Sequence, residues 1–115
     1  MLHHQPIDSC FRALSDVTRL AIFEQLSHGP ASVSQLAQPF AMSLTAVGQH
    51  LEILESSGLI RTQKVGRVRT CSVDAAGLDR LSNWIAERRS LVERRLDRLA
   101  EMLDAEDAAT PPTDQ

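Results

Sequence analysis

Ser43, Thr45 and Gln49 open a polar face, and Arg61, Lys64, Arg67 and Arg69 follow with no acid between Leu59 and Val73. Side chains of these types recognise nucleic acid when a helix and a turn present them together. The amide of Gln49 matches adenine bidentately, and Thr45 suits a base edge, a phosphate or a thymine methyl. Peptide N–H groups at a helix start at Ser43 attract a phosphate. Ala46 and His50 lie at the edges of the same face. A short cationic run neutralises phosphates, and an Arg at its tip suits a narrow minor groove. Arg67 is the residue for that groove, with Arg61, Lys64 and Arg69 tracking the backbone. No nucleophile, base and orienting group fall together, and there is no Gly-rich phosphate loop, so the common enzyme classes are excluded.

The elements that must position these residues can be read from spacing. Ile7 to Leu14 has apolar residues at 7, 10, 11 and 14, a helical stripe. Asp16 is an N-cap, and the next helix runs to about residue 27 with Leu20, Phe23 and Leu26 on one face. His28-Gly29-Pro30 stops it. Ser32 or Ser34 caps a short third helix holding Val33, Leu36 and Ala37, which Pro39 limits. Phe40-Ala41-Met42 forms a turn, and Ser43 caps a fourth helix. Leu44, Val47, Leu51 and Leu54 make its buried stripe, with Thr45, Gln49, Glu52 and Glu55 opposite. Ser57-Gly58 ends it. Residues 59–65 and 68–73 read as strands joined at Gly66-Arg67.

A long helix is predicted from Ala75 to about Asp104. Leu78, Ile85, Val92 and Leu99 repeat every seven residues, with Leu81 and Met102 on a companion row. Trp84 and Leu91 flank one side, Leu96 and Leu103 the other, and Arg88 and Arg95 interrupt the companion row. The fold class is mainly α: a winged helix-turn-helix with a two-stranded β-wing and a long C-terminal dimerisation helix. Residues 1–104 form one domain, and the polar residues 105–115, with Pro111-Pro112, read as a disordered tail.

At 115 residues and 43% apolar content the chain holds one core, and its few aromatics suit packed helices. No apolar run approaches the roughly 20 residues of a membrane span, and the N-terminus lacks a signal pattern. A cytoplasmic location follows. Cys10 and Cys71 have no metal-like spacing and read as small buried hydrophobes in a reducing compartment. The net charge of −3 does not by itself suggest a nucleic-acid binder, but the positive charge is concentrated around the wing.

The run also resembles the ArsR family of bacterial winged-helix repressors. Ala13-Leu14-Ser15-Asp16 with Thr18-Arg19 and Ile22, Ser34-Leu36-Ala37, Val47-x-x-His50-Leu51-x-x-Leu54, Gly58-Leu59 and Gly66-Arg67 carry the likeness, over about residues 7–73. The resemblance implies a homodimer paired through its first and last helices. The contact residues would be Ile7, Phe11 and Leu14, with Leu81, Trp84, Ile85, Leu91, Val92, Leu96 and Leu99. It implies repression of transcription, relieved by an inducer of unspecified identity. By position the base-reading residues are Thr45, Gly48 and Gln49, with Ala46 and His50 beside them. The partner is double-stranded DNA bearing an inverted repeat, including the chain's own promoter.

Gly48 stands where the family commonly has Ser, which removes a hydroxyl and places Gly inside a helix at about 1 kcal/mol. The same helix has no Lys or Arg, so phosphate attraction falls to the wing, to Arg19 and to helix N-termini. Family metal sites use Cys-x-Cys in the third helix or His on the last. Here the third helix reads Ser32-Val33-Ser34-Gln35-Leu36 and the last has no His. No metal and no cofactor are therefore expected. His3 and His4 near Cys10 are better read as a frayed terminus than as a weak metal site. Arg88 and Arg95 either lay their stems along the seam or pair across a dimer with Glu87, Glu93 or Asp97. Two alternatives stand beside repression: a winged helix that binds protein rather than DNA, and a repressor switched through a thiol or a non-standard metal site.

Overall fold

The computed structural model describes residues 6–109. Its elements are α1 Ile7–Leu14, α2 Val17–Leu26, β1 Ala31–Ser32, α3 Val33–Ala37, α4 Leu44–Ser56, β2 Ile60–Val65, β3 Val68–Val73 and α5 Ala75–Ala109. They form two compact units, one ending at Ser82 and one beginning at Asn83. Among the described residues no helix is long and apolar enough to cross a membrane.

The core of the first unit gathers Cys10 and Ala13 of α1, Ile22, Phe23 and Leu26 of α2, and Leu36 of α3. Val47, Leu51 and Leu54 of α4 join them, with Ile60 and Cys71 from the sheet and Leu81 from the start of α5. Burying side chains of this size contributes about 1.5–3 kcal/mol each, an upper range because the unfolded chain is itself partly collapsed. Helices α2, α3 and α4 start where side chains supply acceptors. Asp16 takes the N–H groups of Thr18 and Arg19 at 2.9 and 3.1 Å. Ser32 and Gln35 form a reciprocal capping box. Ser43 Oγ accepts from the Ala46 N–H at 3.1 Å.

Five expectations are corrected. The sheet has three strands in the order β1-β3-β2, not two. Ser32, with φ −76° and ψ 161°, is extended before α3 begins, and the residues leading into it pair with β3 as Ala31↔Cys71 and Ser32↔Thr70. A two-residue strand leaves no alternation to read. The last helix continues through Ala109 rather than stopping near Asp104. The segment Ala105-Glu106-Asp107-Ala108-Ala109 is rich in the best helix former and holds no Pro. The rest of the expected tail lies outside the described residues, as do His3 and His4.

Within α2 it is Ile22, fully buried, that fills the core, while Leu20 is 40% exposed. Leu44 leaves the buried stripe altogether and is 57% exposed. It occupies the first turn of α4, where Phe40 and Met42 of the preceding turn pack against the core instead. Leu81, assigned to a dimer contact, is 8% exposed within its own protomer.

The end of α4 is built as a Schellman motif. Leu59 N–H donates to Leu54 O at 3.1 Å, Gly58 N–H donates to Glu55 O at 3.0 Å, and Gly58 has φ +81°. Gly77 of α5 lies directly against the Gly58 carbonyl, so a Cβ at Gly77 would collide with backbone. We therefore expect Gly77→Ala to destabilise the fold by about 3 kcal/mol, visible as a lower urea midpoint with unchanged slope. An unchanged midpoint would show that α5 and the α4–β2 turn can move apart.

Candidate nucleic-acid interface

Helix α4 divides into three faces. Val47, Leu51 and Leu54 are buried. Thr45, Gln49 and Glu52 are exposed and lie one after another along the outer face, as expected of a base-reading surface. Ser43 Oγ is engaged as the acceptor of the Ala46 N–H, with its O–H left free to donate. What the helix start offers is the backbone N–H of Leu44 and Thr45, which take no acceptor among the described residues.

The wing displays Arg67 by turn geometry. Gly66 has φ +64° and Arg67 an ordinary negative φ, the pattern of a two-residue turn with Gly first. The register then sorts the four basic residues. Lys64 pairs with Arg69, and Arg61 with Ser72. Opposed residues share a face, so Lys64 and Arg69 lie on the face that carries buried Ile60 and Cys71 nearer the core. Arg61 is on the other face. The sheet thus separates Arg61 from the pair it was grouped with. Like charges directly opposite destabilise a ladder, and an anion at Lys64 and Arg69 relieves that repulsion.

Arg67 and Arg69 border a groove of about 350 Å³ that also takes in Leu44 and Gly48 of α4 and Ser34 of α3. Gly48 faces the same groove as the wing, and a Cβ added there would touch nothing within 4 Å. The fold does not demand Gly at this position.

Arg19 is placed differently from the sequence reading, and His50 takes part in the change. Arg19 Nε donates to the Ala13 carbonyl at 2.7 Å, and Arg19 Nη1 is 3.2 Å from His50 Nδ1. Asp16 Oδ2 is 3.9 Å from the same ring nitrogen. The three residues tie α1, α2 and α4 together, so Arg19 is withdrawn from phosphate binding, and His50 stays at the edge of the outer face of α4, as its spacing predicts. The Arg19 backbone N–H, with the charges of Arg19 and His50, holds the Asp16 carboxyl below the usual range against a partial loss of water.

Glu55 is also committed inside the fold. Its Oε2 accepts from the backbone N–H and hydroxyl of Thr62 at 3.2 and 2.8 Å, tying α4 to β2. Nothing in the spacing of Glu55 and Thr62 announces this contact. Only Glu52 remains as an acid on the outer face of α4.

The two cysteines are fully buried. Cys10 Sγ donates to the Ser57 carbonyl at 3.5 Å, and burial pushes the Cys71 thiol above its usual range. Among the described residues no three His, Cys, Asp or Glu side chains converge. In the second unit the Arg88 guanidinium lies 4.5 Å from the Trp84 ring centroid and 3.5 Å from a Glu87 oxygen. Ile85, Val92, Leu96 and Leu99 are each about half exposed there.

Comparison with known proteins agrees with this geometry. A family model described as a helix-turn-helix domain matches residues 14–63. The HTH-type transcriptional regulator Rv2034 of Mycobacterium tuberculosis is 35% identical over 99 residues, spanning 86% of this chain and 90% of that protein. The transcriptional repressor SdpR of Bacillus subtilis is 28% identical over 79 residues, spanning 69% and 88%. A crystal structure of an ArsR family transcriptional regulator matches with a TM-score of 0.71 at 46% identity, over 76% of this chain and 96% of that one. The solution structure of a homodimeric winged helix-turn-helix DNA-binding domain from Mycobacterium bovis matches in fold, with a TM-score of 0.60 at 24% identity over 80% and 82%.

Fold and site together define a winged helix-turn-helix regulator of transcription, not an enzyme. Within that class the chain belongs to the ArsR family.

The lowered pKa of Asp16 has a stability consequence with a definite sign. A depressed carboxylate stabilises the fold above its unfolded value of about 3.9, and the contribution is lost as pH falls through the folded value. Asp16→Asn keeps a capping acceptor but cannot titrate. Wild type should therefore lose more stability than Asp16→Asn between about pH 5 and pH 3. Parallel denaturation midpoints would contradict the Asp16–Arg19–His50 arrangement.

Proposed function

We propose that this chain is a homodimeric repressor that reads an inverted repeat with α4 and grips the flanking backbone with its wing. The observation that carries the reading is the groove that sets Leu44 and Gly48 of α4 against Arg67 and Arg69 of the wing, with the exposed Thr45 and Gln49 beside them on the same helix. The half-exposed apolar stripe of α5 supports a second copy as its partner. Ile85 at 49%, Val92 at 55% and Leu99 at 51% recur every seven residues, a pattern that self-pairing helices use. Ile7, Phe11 and Leu14 of α1, with Trp84, Leu91 and Leu96 of α5, complete the proposed contact. The homodimeric Mycobacterium bovis domain and the repressor SdpR support the assembly and the sign of regulation.

Two copies related by a two-fold axis would set their reading helices about 34 Å apart, one turn of duplex. Occupying such a site across a promoter excludes polymerase, and the chain's own promoter is one target of this kind. An inducer would act by favouring a dimer whose two reading heads no longer match that spacing.

Band shifts on the chain's own upstream DNA test the proposal. Arg67→Ala should weaken binding roughly ten-fold while leaving a folded dimer, and should make the salt dependence shallower by about one counterion per half-site. The wild-type slope itself should be modest, because α4 contributes no cation. Binding unaffected by Arg67→Ala would remove the wing from the interface. A retarded complex that is indifferent to DNA sequence would remove base reading.

A further inference from the structure

Leu44 is an anomaly. It is a large apolar residue on the first turn of α4 and is 57% exposed, more than Ile53 at 43%, the other large apolar residue that α4 leaves exposed. Gly48 lies one turn further along the same side, with open space where a side chain would be. The two line one wall of the groove, and the wing segment Arg67–Arg69 lines another. Val68, itself 52% exposed, adds apolar surface beside the two guanidinium groups. The groove is therefore apolar on its helix side and cationic at its rim.

We infer that Leu44 and Gly48 form a slot for the C5-methyl group of a thymine, which makes Leu44 a specificity-determining residue. The inference rests on the proposed DNA reading of α4. A major groove lined by base edges presents one apolar feature, the thymine methyl, and a side chain with no hydrogen-bonding group can read nothing else there. Gly48 leaves the depth that the methyl and its ring edge need beside the helix backbone. The arginines at the rim commit the occupant to a polyanion, since an apolar peptide would leave two cations beside it unpaired. Thr45 and Gln49, on the neighbouring outer face, then read adjacent bases by hydrogen bonding.

The test begins with duplexes enriched from random-sequence DNA by the purified protein. Each thymine of an enriched duplex is replaced in turn by deoxyuridine, which removes the methyl and nothing else. Burying one methyl contributes about four-fold in affinity, so one thymine per half-site should show about that loss. In Leu44→Ala the thymine-to-uracil ratio at that position should fall to about one, with the duplex still bound. Gly48→Ala should weaken the thymine duplex more than the uracil duplex, because it fills the slot. Leu44 is exposed, so its variant should keep wild-type helical content by circular dichroism. If no thymine is sensitive, or if the sensitive one keeps its ratio in Leu44→Ala, the slot is overturned. If no duplex is enriched at all, the DNA reading fails and the slot falls with it.

Discussion

Helix α4 runs out into two carbonyl groups, those of Ser57 and Gly58, and donors from α1 and α5 converge on them. A helix leaves its last carbonyls without intrahelical donors, and inside a core they cannot turn to water. Cys10 donates from α1, and Arg80 Nη2 donates from α5 at 3.3 and 3.5 Å. The guanidinium also places a positive charge at the negative end of the α4 dipole. The absence of a Cβ at Gly77 lets the first turn of α5 come close enough for this. Arg80 does not resolve the site perfectly: its Nε is buried with no partner among the described residues. That unpaired group offsets part of the gain, and the arrangement persists because a cation there answers several acceptors at once.

Much of this architecture is legible in the residues because three of the helices, α2, α3 and α4, carry their own start signals. Asp16, Ser32 and Ser43 are N-caps in the structure; Asp16 and Ser43 are readable as such, and Ser32 as one of two candidates with Ser34, since capping depends on a few neighbouring residues. Gly66-Arg67 is readable for the same reason. What escaped was the result of distant partners. The pairing of Ala31 and Ser32 with β3 depends on where β3 lies after folding. The capture of Glu55 by Thr62 and of Arg19 by His50 likewise joins residues whose types are ordinary for solvated helix faces. Leu44 was misread by periodicity itself: the stripe continues in sequence beyond the point where the core ends in space.

The charge of the site has the same two-level origin. In composition the chain is acidic, with a net charge of −3. In space Glu55 is withdrawn to hold the sheet, Asp16 to cap and clamp, and Lys64 is set opposite Arg69. Screened surface fields depend on such local arrangement far more than on the total. Hydrogen bonding within the fold decides which charges an approaching duplex meets.

The Asp16–Arg19–His50 knot limits how the protein can respond to any signal. It pins α4 to α1 and α2 near mid-length, while the Ser57 carbonyl pins it again at its end. A rod fixed at two points has no free pivot. Helix α4 cannot swivel alone within its unit without first breaking these hydrogen bonds, so a change in its direction requires the surrounding block to turn with it.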